Sequence, residues 1–448
     1  MKKCVRLFFI FSMISTLPLL SYAGQQEASK SSGITTLAKE LVEQLVREDF
    51  SGAAKNFDDT MKGVMLPEKL QQVWKAVLTQ AGAFKKQTGA RTERLQQFDI
   101  VFVTCEFEKV TVDVKVVFNG ERQIAGLFFQ PAASSGSNSY KPPAYARPDS
   151  FREKDVTVGS GEWALPATLT LPSGEGPFPA VVLVHGSGPN DRDETLGPNK
   201  PFRDLAWGLA TKGIAVLRYD KRTKAHRAKM IALKDSITVK EETVDDALEA
   251  VSLLRKSAGV DAKRIFVLGH SLGATLIPRI GKRDSNIAGF IALAGTTRPL
   301  EDVILYQTDY LAMLDGTLSD VEKTNIETVK QAVAKIKDPA LSATGEQILG
   351  VPPSYWLDLR GYSPPEMARD LKQPMLILQG ERDYQVTMED FQGWKALATK
   401  KNVQLKTYPK LNHLFIEGEG KSTPAEYSNP GNVAEYVVSD IAGWIMKQ

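Results

Sequence analysis

Cysteine and histidine are scarce in this chain, which restricts the chemistry that it can perform. Its 448 residues include two cysteines and four histidines. Because Cys4 lies in a segment that we predict to be removed, Cys105 remains alone and an internal disulfide is excluded. No group of cysteines and histidines has the spacing of metal ligands, and no complete Gly-x₄-Gly-Lys-Ser/Thr loop is present to hold a phosphate. The sequence therefore predicts neither a metal site nor a cofactor.

The chain also lacks a surplus of charge of either sign. Its formal net charge is +3, and Lys2, Lys3 and Arg6 supply three positive charges in an N-terminal segment without acidic residues. The rest of the chain balances 53 basic against 53 acidic residues. This balance gives no electrostatic support to a nucleic-acid partner.

The apolar run near the N-terminus is short for a membrane anchor. The segment MKKCVRLFFIFSMISTLPLLSYAG starts with positive charges, continues with apolar residues from Leu7 to Leu20 and ends with Ser21-Tyr22-Ala23. A membrane span needs about 18 to 20 apolar residues, and Pro18 interrupts this run. The pattern predicts a signal peptide over residues 1–23, hence a secreted or periplasmic protein without a stable membrane anchor after cleavage.

Residues 30–130 have the pattern of a small α+β domain. Helical spacing of apolar residues over 34–46 and a second helical stretch over 67–78 precede alternating strands at 110–118 and 123–129. The domain contains no histidine, so we interpret it as a packing or binding module. The segment 131–150, PAASSGSNSYKPPAYARPDS, is predicted to be a linker.

Strands and helices alternate from residue 151 to the end. Continuous apolar runs occupy residues 167–171, 180–185, 214–219, 264–269, 289–294, 374–379 and 403–408, with helical stretches near 201–212, 238–258 and 385–401. Continuous apolar runs are typical of strands covered on both faces. The order predicts an α/β domain with a parallel sheet flanked by helices.

A serine lies between two glycines at the end of one of these runs, in RIFVLGHSLGATL. A sharp turn from strand to helix would strain the Ser271 backbone and expose its hydroxyl, and Gly269 and Gly273 leave room for that turn. The motif alone is weak, but its position between a buried strand and a helix strengthens it. We therefore interpret Ser271 as a nucleophile rather than as part of a structural turn.

A serine nucleophile needs a histidine base and a carboxylate that orients it. His185 ends a strand, His226 lies in a basic loop, and His270 belongs to the turn itself, so His413 in YPKLNHLF is the expected base. Asp383 in PMLILQGERDYQV follows a buried strand and completes the order Ser, Asp, His. Glu381 is the competing carboxylate.

The oxyanion formed on the substrate should meet backbone N–H groups. Leu272, directly after the proposed nucleophile, is the first expected donor. The second should come from HGSGP, with Ser187 preferred and Gly188 in reserve.

These segments together resemble a known family. AVVLVHGSGPNDRDETLGPNKPFRDLAWGLATKGIAVLRYDKRT, GHSLGA, LQGERDYQV and NHLF are similar to secreted bacterial α/β-hydrolases of the EstD carboxylesterase type, in the dienelactone-hydrolase and prolyl-oligopeptidase-like branch. The resemblance covers about residues 150–448 and implies an α/β-hydrolase fold with a mostly parallel eight-stranded sheet. It also implies a Ser271, Asp383, His413 triad and ester hydrolysis without a cofactor. The N-terminal module resembles the uncharacterised α+β domain found ahead of such hydrolases.

An insertion at about 296–370 is expected to form a helical cap over the site. Its aromatic residues Tyr306, Tyr310, Tyr355 and Trp356 are candidate substrate contacts, although each could belong to a small core of the cap. Arg192 in NDRDE is another candidate, with an ion pair that fixes the loop as the alternative. Asp220 in RYDKR is interpreted as structural support.

The sequence thus predicts a serine esterase for small-molecule esters, with short acyl chains preferred. A peptidase or acyl-peptide hydrolase of the same fold is the alternative enzyme, and a non-catalytic binding protein on a hydrolase scaffold is the alternative class. The sequence gives no oligomeric state.

Overall fold

A computed structural model of the chain describes residues 20–95, 98–132, 140–233 and 236–448. Two compact units are present, an N-terminal unit over Met1–Ser135 and a C-terminal unit over Gly136–Gln448. Residues 1–19 of the predicted signal peptide lie outside the described residues, as do residues 133–139 of the predicted linker. No helix among the described residues is both long and apolar enough to cross a bilayer.

The N-terminal unit consists of helices followed by an antiparallel sheet, as predicted. The helices are α1 (Leu20–Val46), α2 (Phe50–Ala54), α3 (Asp59–Val64) and α4 (Pro67–Ala81), and the strands are β1 (Phe84–Leu95), β2 (Phe98–Phe107), β3 (Thr111–Phe118) and β4 (Ile124–Pro131). The strands pair in sequence order. Apolar residues of α1, α4, β2 and β3 form a core of their own. Cys105 is a free thiol in that core, where burial raises its pKa to about 12 and keeps it protonated.

The C-terminal unit is built on an eight-stranded sheet, which confirms the predicted sheet. Its strands are β5 (Phe151–Val158), β6 (Leu165–Pro172), β7 (Phe178–Val184), β8 (Ala215–Tyr219), β9 (Val260–His270), β10 (Gly289–Leu293), β11 (Met375–Gly380) and β12 (Val403–Tyr408). The spatial order is β12-β11-β10-β9-β7-β8-β6-β5. The pairs from β12 to β8 are parallel, whereas β6 and β5 are antiparallel.

Helices cover both faces of this sheet. They are α5 (Pro201–Thr211), α6 (Arg222–Ala225), α7 (Arg227–Ala232), α8 (Asp245–Arg255), α9 (Leu272–Arg283), α10 (Leu300–Ala312), α11 (Asp320–Lys337), α12 (Pro353–Leu359), α13 (Pro364–Ala368), α14 (Met388–Trp394) and α15 (Glu435–Ile445). A π-helical turn, Lys240–Val244, precedes α8. One core lies between the sheet and α8 and α9, and a second lies between the sheet and α5 and α15. Parallel strands buried on both faces produce the continuous apolar runs seen in the sequence.

The predicted cap segment, about 296–370, contains α10 to α13. These helices form a small core that includes Ile336, Ile348 and Trp356. Part of the predicted linker, by contrast, packs on the C-terminal unit: Tyr140 donates a hydrogen bond to Asp204, and Tyr145 donates one to the carbonyl of Val433.

Candidate active site

Ser271 lies in a strained turn at the carboxyl end of β9. Its backbone has φ 52° and ψ −116°, a conformation that side-chain-bearing residues adopt rarely. Its N–H donates to the carbonyl of Leu293 on the neighbouring strand β10, at 2.9 Å, and α9 begins at Leu272. The strand and the helix therefore hold the Ser271 side chain at the edge of the sheet.

The two flanking glycines are required by close backbone approach. A Cβ atom at Gly269 would lie 2.3 Å from the carbonyl carbon of Gly273, and one at Gly273 would lie 2.2 Å from the carbonyl oxygen of Val184. Both distances are far below a van der Waals contact. Any larger residue at either position would push α9 away from β7 and β9.

His413 and Asp383 come together in the loops that follow β12 and β11. The Nδ1–H of His413 donates to Oδ2 of Asp383 at 2.7 Å. The other carboxylate oxygen of Asp383 accepts from the N–H groups of Gln385 and Val386 at 2.8 and 3.0 Å. In the neutral ring this contact places the proton on Nδ1 and leaves the lone pair of Nε2 to accept another.

The competing residues have other partners. Glu381 is exposed and accepts from the hydroxyl of Thr407, and the Nε2–H of His226 donates to the carbonyl of Ala164. His185 is fully buried, and burial lowers its pKa to about 4, so the ring is neutral. The structure thus pairs Asp383 with His413.

The loop after β7 packs directly on Ser271. A Cβ atom at Gly186 would lie 3.1 Å from Cβ and 3.6 Å from Oγ of Ser271. The N–H of Gly186 donates to Oε1 of Glu194 at 2.6 Å, so it is occupied. Across the described ranges, the hydrogen bonds include none from the N–H of Ser187. Leu272 is the first residue of α9, where N–H groups have no partner within the helix.

A buried ion pair lies beneath this turn. Nδ1 of His270 lies 2.8 Å from Oε2 of Glu194, and Nε2–H of His270 donates to the carbonyl of His413 at 2.9 Å. Burial opposes charge on both groups, but each charge stabilises the other: the pKa of Glu194 is lowered and that of His270 is raised. Glu194 connects Gly186 to His270, and His270 in turn connects to the His413 loop.

A second buried pair lies on the other side of Gly186. Nζ of Lys221 donates to the carbonyl of Gly186 at 2.8 Å and to Oε1 of Glu242 at 2.6 Å. The hydroxyl of Tyr355 donates to Oε2 of Glu242 at 2.6 Å. Sequence reasoning gave no role to Lys221 or Glu242, and it named Glu194 only as the end of the NDRDE loop. The one signal for Lys221 was its position two residues after the buried strand β8.

Ser271 and His413 line one cavity of about 710 Å³, together with Ser187, Gly188 and Leu272. Its wall is mainly apolar and includes α10 and α12 of the insertion, with Tyr355 and Trp356. Both aromatic residues have structural partners as well: Tyr355 contacts Glu242, and the indole N–H of Trp356 donates to the carbonyl of Ile348. A cavity of this size is typical of small-molecule sites.

The other three proposed substrate contacts lie elsewhere. Tyr310 stacks on Tyr384 and donates its hydroxyl to the carbonyl of Ser422, and Tyr306 stacks on Tyr310. Arg192 lies in a second pocket of about 520 Å³, where it binds Asp220. The predicted contact of Tyr306, Tyr310 and Arg192 with the substrate cavity is therefore corrected, because aromatic packing and an ion pair hold these side chains away from it. In the part of the chain that the structure describes, no cluster of three potential metal ligands occurs.

Two known family models match parts of this chain. The model of the α/β hydrolase family matches residues 181–428, and the model of a family described as a protein of unknown function, DUF3887, matches residues 38–127. The chain belongs to the α/β-hydrolase family. Ser271, Asp383 and His413 of this α/β-hydrolase all lie inside the matched range.

Esterase EstD of Thermotoga maritima is 42% identical to this hydrolase over 408 residues, which cover 91% of this chain and 94% of the relative. Among solved structures, Est1E from Butyrivibrio proteoclasticus is 17% identical, covers 66% of this chain and 99% of its own, and has a TM-score of 0.43. A hyperthermophilic esterase from Pyrobaculum calidifontis is 18% identical, covers 66% of this chain and 85% of its own, and has a TM-score of 0.43.

Proposed function

We propose that the protein is a serine esterase that acts on carboxylic esters of small molecules through an acyl-enzyme on Ser271. The observation on which the proposal depends is the Asp383 to His413 hydrogen bond at the edge of the cavity that the strained Ser271 also lines. The 42% identity to a relative named Esterase EstD supports the choice of esters as substrates.

The mechanism uses Nε2 of His413 as the base. Nε2 removes the proton of Ser271, and Oγ attacks the ester carbonyl, while Asp383 stabilises the imidazolium that forms. The N–H groups of Ser187 and Leu272 hold the tetrahedral oxyanion. Collapse of this intermediate releases the alcohol with the proton from Nε2. Water activated by the same histidine then hydrolyses the acyl-enzyme.

Replacement of the nucleophile tests the proposal most directly. We expect Ser271→Ala to lower kcat for p-nitrophenyl butyrate by about 10⁵-fold or more, because the covalent pathway is lost. Ser173→Ala, at an exposed serine in the turn after β6, is the matched control and should keep wild-type kcat. A fluorophosphonate should label the wild-type protein on Ser271. Folded wild-type protein that forms no adduct would contradict the esterase and favour a binding protein.

The acyl preference is a separate expectation. Polar side chains of Gln307, Gln385 and Arg298 interrupt the apolar wall of the cavity, which supports short rather than long acyl chains. A series of p-nitrophenyl esters from acetyl to palmitoyl should show the highest kcat/KM at acetyl or butyryl. Peptide anilides assayed in parallel distinguish an esterase from a peptidase. Faster turnover of palmitoyl esters, or of the anilides, would reject this preference.

Export is the remaining proposal. The signal-like segment up to Ala23 supports secretion or periplasmic location. N-terminal sequencing of the protein recovered from the periplasm should give Gly24 as the first residue, whereas an intact N-terminus on cytoplasmic protein would contradict export.

A further inference from the structure

The peptide groups around Gly186 are held by buried charges of opposite sign. Glu194 accepts a hydrogen bond from the Gly186 N–H at 2.6 Å, and Lys221 donates one to the Gly186 carbonyl at 2.8 Å. Glu194 and Lys221 are both buried. Burial of a charge costs desolvation free energy. Because both of these charges contact peptide groups of the loop, we infer that they orient those groups.

The Gly186 carbonyl and the Ser187 N–H belong to the same planar peptide group. In a trans peptide these two bonds point in opposite directions. A hydrogen bond that fixes the direction of the carbonyl therefore fixes the direction of the N–H. The loop is already in contact with Ser271 through Gly186. Because the Ser187 N–H donates to no group in the described part of the chain, it is available to an oxyanion.

Lys221 is itself held in one position. Its ammonium donates to Glu242, and Glu242 accepts a second hydrogen bond from the hydroxyl of Tyr355, both at 2.6 Å. Lys221, Glu242 and Tyr355 are buried. A lysine side chain has several rotatable bonds, so a neutralising partner with a fixed place is needed to keep its ammonium on the carbonyl. Tyr355 lies on α12, so the chain of contacts runs from the insertion to the loop after β7.

The segment after β8 holds the same loop at two further points. The backbone N–H of Lys221 donates to the carbonyl of Asn190 at 3.0 Å, and the hydroxyl of Thr223 donates to the carbonyl of Gly188 at 3.2 Å. The ammonium of Lys221 is thus one of several contacts that fix the loop. The side-chain amide of Asn190 also donates to the Gly186 carbonyl, at 3.3 Å, so the ammonium of Lys221, at 2.8 Å, is the shorter and the charged contact of the two to the peptide group that contains the Ser187 N–H.

We propose that Lys221 is a positioning residue that aims the Ser187 N–H into the oxyanion hole, and that Glu242 and Tyr355 keep Lys221 on the Gly186 carbonyl. The positive charge also polarises the peptide group, which makes its N–H a stronger donor. This proposal rests on the proposed esterase mechanism, in which the Ser187 N–H binds the oxyanion. Lys221 acts through the peptide group and does not touch the substrate.

The central test removes both charges together, so that no unpaired charge stays buried. We expect Lys221→Met with Glu242→Gln to lower kcat for p-nitrophenyl butyrate by about 100-fold, the effect of losing one oxyanion donor, with KM within about threefold of wild type. The inhibition constant of a trifluoromethyl ketone, which forms a tetrahedral adduct on Ser271, should rise by a similar factor. Tyr355→Phe should lower kcat by about two- to tenfold, because Glu242 then loses one of its two hydrogen bonds.

A neighbouring ion pair provides the control. Arg222 donates to Asp246 from the same two segments, and both side chains are largely buried, but neither contacts Gly186. We expect Arg222→Met with Asp246→Asn to lower the melting temperature and to leave kcat and the inhibition constant within about threefold of wild type. This control separates a structural ion pair from one that positions the loop.

The outcomes are distinguishable. The positioning role would be overturned if kcat and the inhibition constant are unchanged in the Lys221/Glu242 variant, or if only KM rises. In either case, turnover by the wild-type protein would still support the esterase. Wild-type protein without turnover would instead remove the proposed function. If the Lys221/Glu242 variant does not fold, Tyr355→Phe decides, because it leaves both buried charges in place: parallel changes in kcat and in the inhibition constant support the proposal, and unchanged values reject it.

Discussion

Asp383 has the contacts needed to stabilise one tautomer of His413. The two oxygens of its buried carboxylate have different partners, since Oδ2 accepts the Nδ1–H of His413 and Oδ1 accepts two backbone N–H groups of the following turn. The backbone contacts prevent rotation of the carboxylate. An uncharged amide at this position could present its N–H₂ group to the ring and so favour the wrong tautomer.

Asp383→Asn should therefore lower kcat by about 10³- to 10⁴-fold with little change in KM. Steady-state kinetics with p-nitrophenyl butyrate measure both quantities. Glu381→Gln is the matched control, because this exposed carboxylate two residues earlier contacts Thr407 and should be dispensable. A larger loss of kcat in Glu381→Gln than in Asp383→Asn would show that the carboxylate has been assigned to the wrong residue.

His185 links the pH to the stability of the C-terminal unit. Its ring packs between Phe202 and Tyr219, and its Nε2–H donates to the carbonyl of Asp191. Burial lowers its pKa to about 4 from the ordinary 6.5. Between these two pH values the unfolded chain binds a proton at this position and the folded chain does not. The stabilisation is thus complete above pH 6.5 and is lost as the pH falls toward 4.

We expect the free energy of unfolding to fall by about 3 kcal/mol from this residue alone between pH 6.5 and 4, since one pKa unit corresponds to about 1.4 kcal/mol. His185→Gln keeps a donor for the Asp191 carbonyl but does not titrate. Urea unfolding at a series of pH values should show that the difference between wild type and variant shrinks as the pH falls. A difference that is constant with pH would contradict the assignment.

At the scale of elements, the contact of α9 with β7 determines the position of Ser271. The carbonyl oxygen of Val184 would lie only 2.2 Å from a Cβ atom at Gly273, so helix and strand meet without a side chain between them. Gly443 provides the contrast, because it is exposed on α15 and a Cβ atom there would meet nothing within 4 Å.

Gly273→Ala should lower the free energy of unfolding by about 3 kcal/mol and reduce kcat, because α9 must move and shift Ser271 with it. Gly443→Ala should raise the free energy of unfolding by about 0.5 to 1 kcal/mol and leave kcat unchanged, because alanine favours the helix. Urea unfolding and steady-state kinetics measure these effects. Wild-type activity and stability in Gly273→Ala would contradict the close packing.

The elements could be predicted where burial determined the sequence. The seven strands from β6 to β12 were predicted. Those from β6 to β11 have largely buried apolar runs, whereas the edge strand β12 alternates between buried and more exposed residues. The edge strand β5 was missed because most of its side chains are exposed and charged. The polar strand β1 was missed for the same reason. Strand β2 was missed as well, although most of its residues are buried. The predicted helix at 385–401 is shorter, since α14 ends at Trp394 and a 3₁₀ turn follows.

The residues of the site also divide into those that the sequence could predict and those that it could not. Ser271, Asp383 and His413 were selected because each follows the carboxyl end of a recognisable strand, and those ends meet at one edge of a parallel sheet. The contacts of Lys221 could not be predicted, because Glu242 is 21 residues away and Tyr355 is 113 residues beyond Glu242. No periodicity connects such partners. Tyr306 and Tyr310 show the opposite failure, since an aromatic residue looks the same in sequence whether it packs on a neighbour or faces a cavity.

At the scale of the whole molecule, each unit has its own hydrophobic core. Every residue assigned to the site lies in the C-terminal unit, Gly136–Gln448. Catalysis at Ser271 therefore requires that the C-terminal unit is folded. The C-terminal unit starts at Gly136 rather than at residue 151, the start expected from composition. Residues of the segment before 151 pack on the rest of the unit and contribute to its stability.

Two tyrosines of that segment contact α5 and the segment before α15. Tyr140 donates to Asp204 on α5, and Tyr145 donates to the Val433 carbonyl just before α15. A Cβ atom at Gly208 would lie 2.8 Å from the ring of Tyr145, so the ring packs directly on α5. Loss of these residues would leave the Val433 carbonyl without its tyrosine donor, Asp204 with fewer donors and α5 without a cover.

We expect a chain of residues 136–448 to fold and to keep kcat for p-nitrophenyl butyrate within about threefold of the longer protein. A chain of residues 151–448 should be less stable by about 2 to 5 kcal/mol, the cost of two hydrogen bonds to buried groups and the lost packing of Tyr145. Urea unfolding of both chains measures the difference, and Tyr140→Phe with Tyr145→Phe in the 136–448 chain should reproduce the hydrogen-bond share of it. Equal stability of the two chains would show that residues 140–150 serve as a plain linker, and a loss of kcat in the 136–448 chain would show that the N-terminal unit contributes to the site.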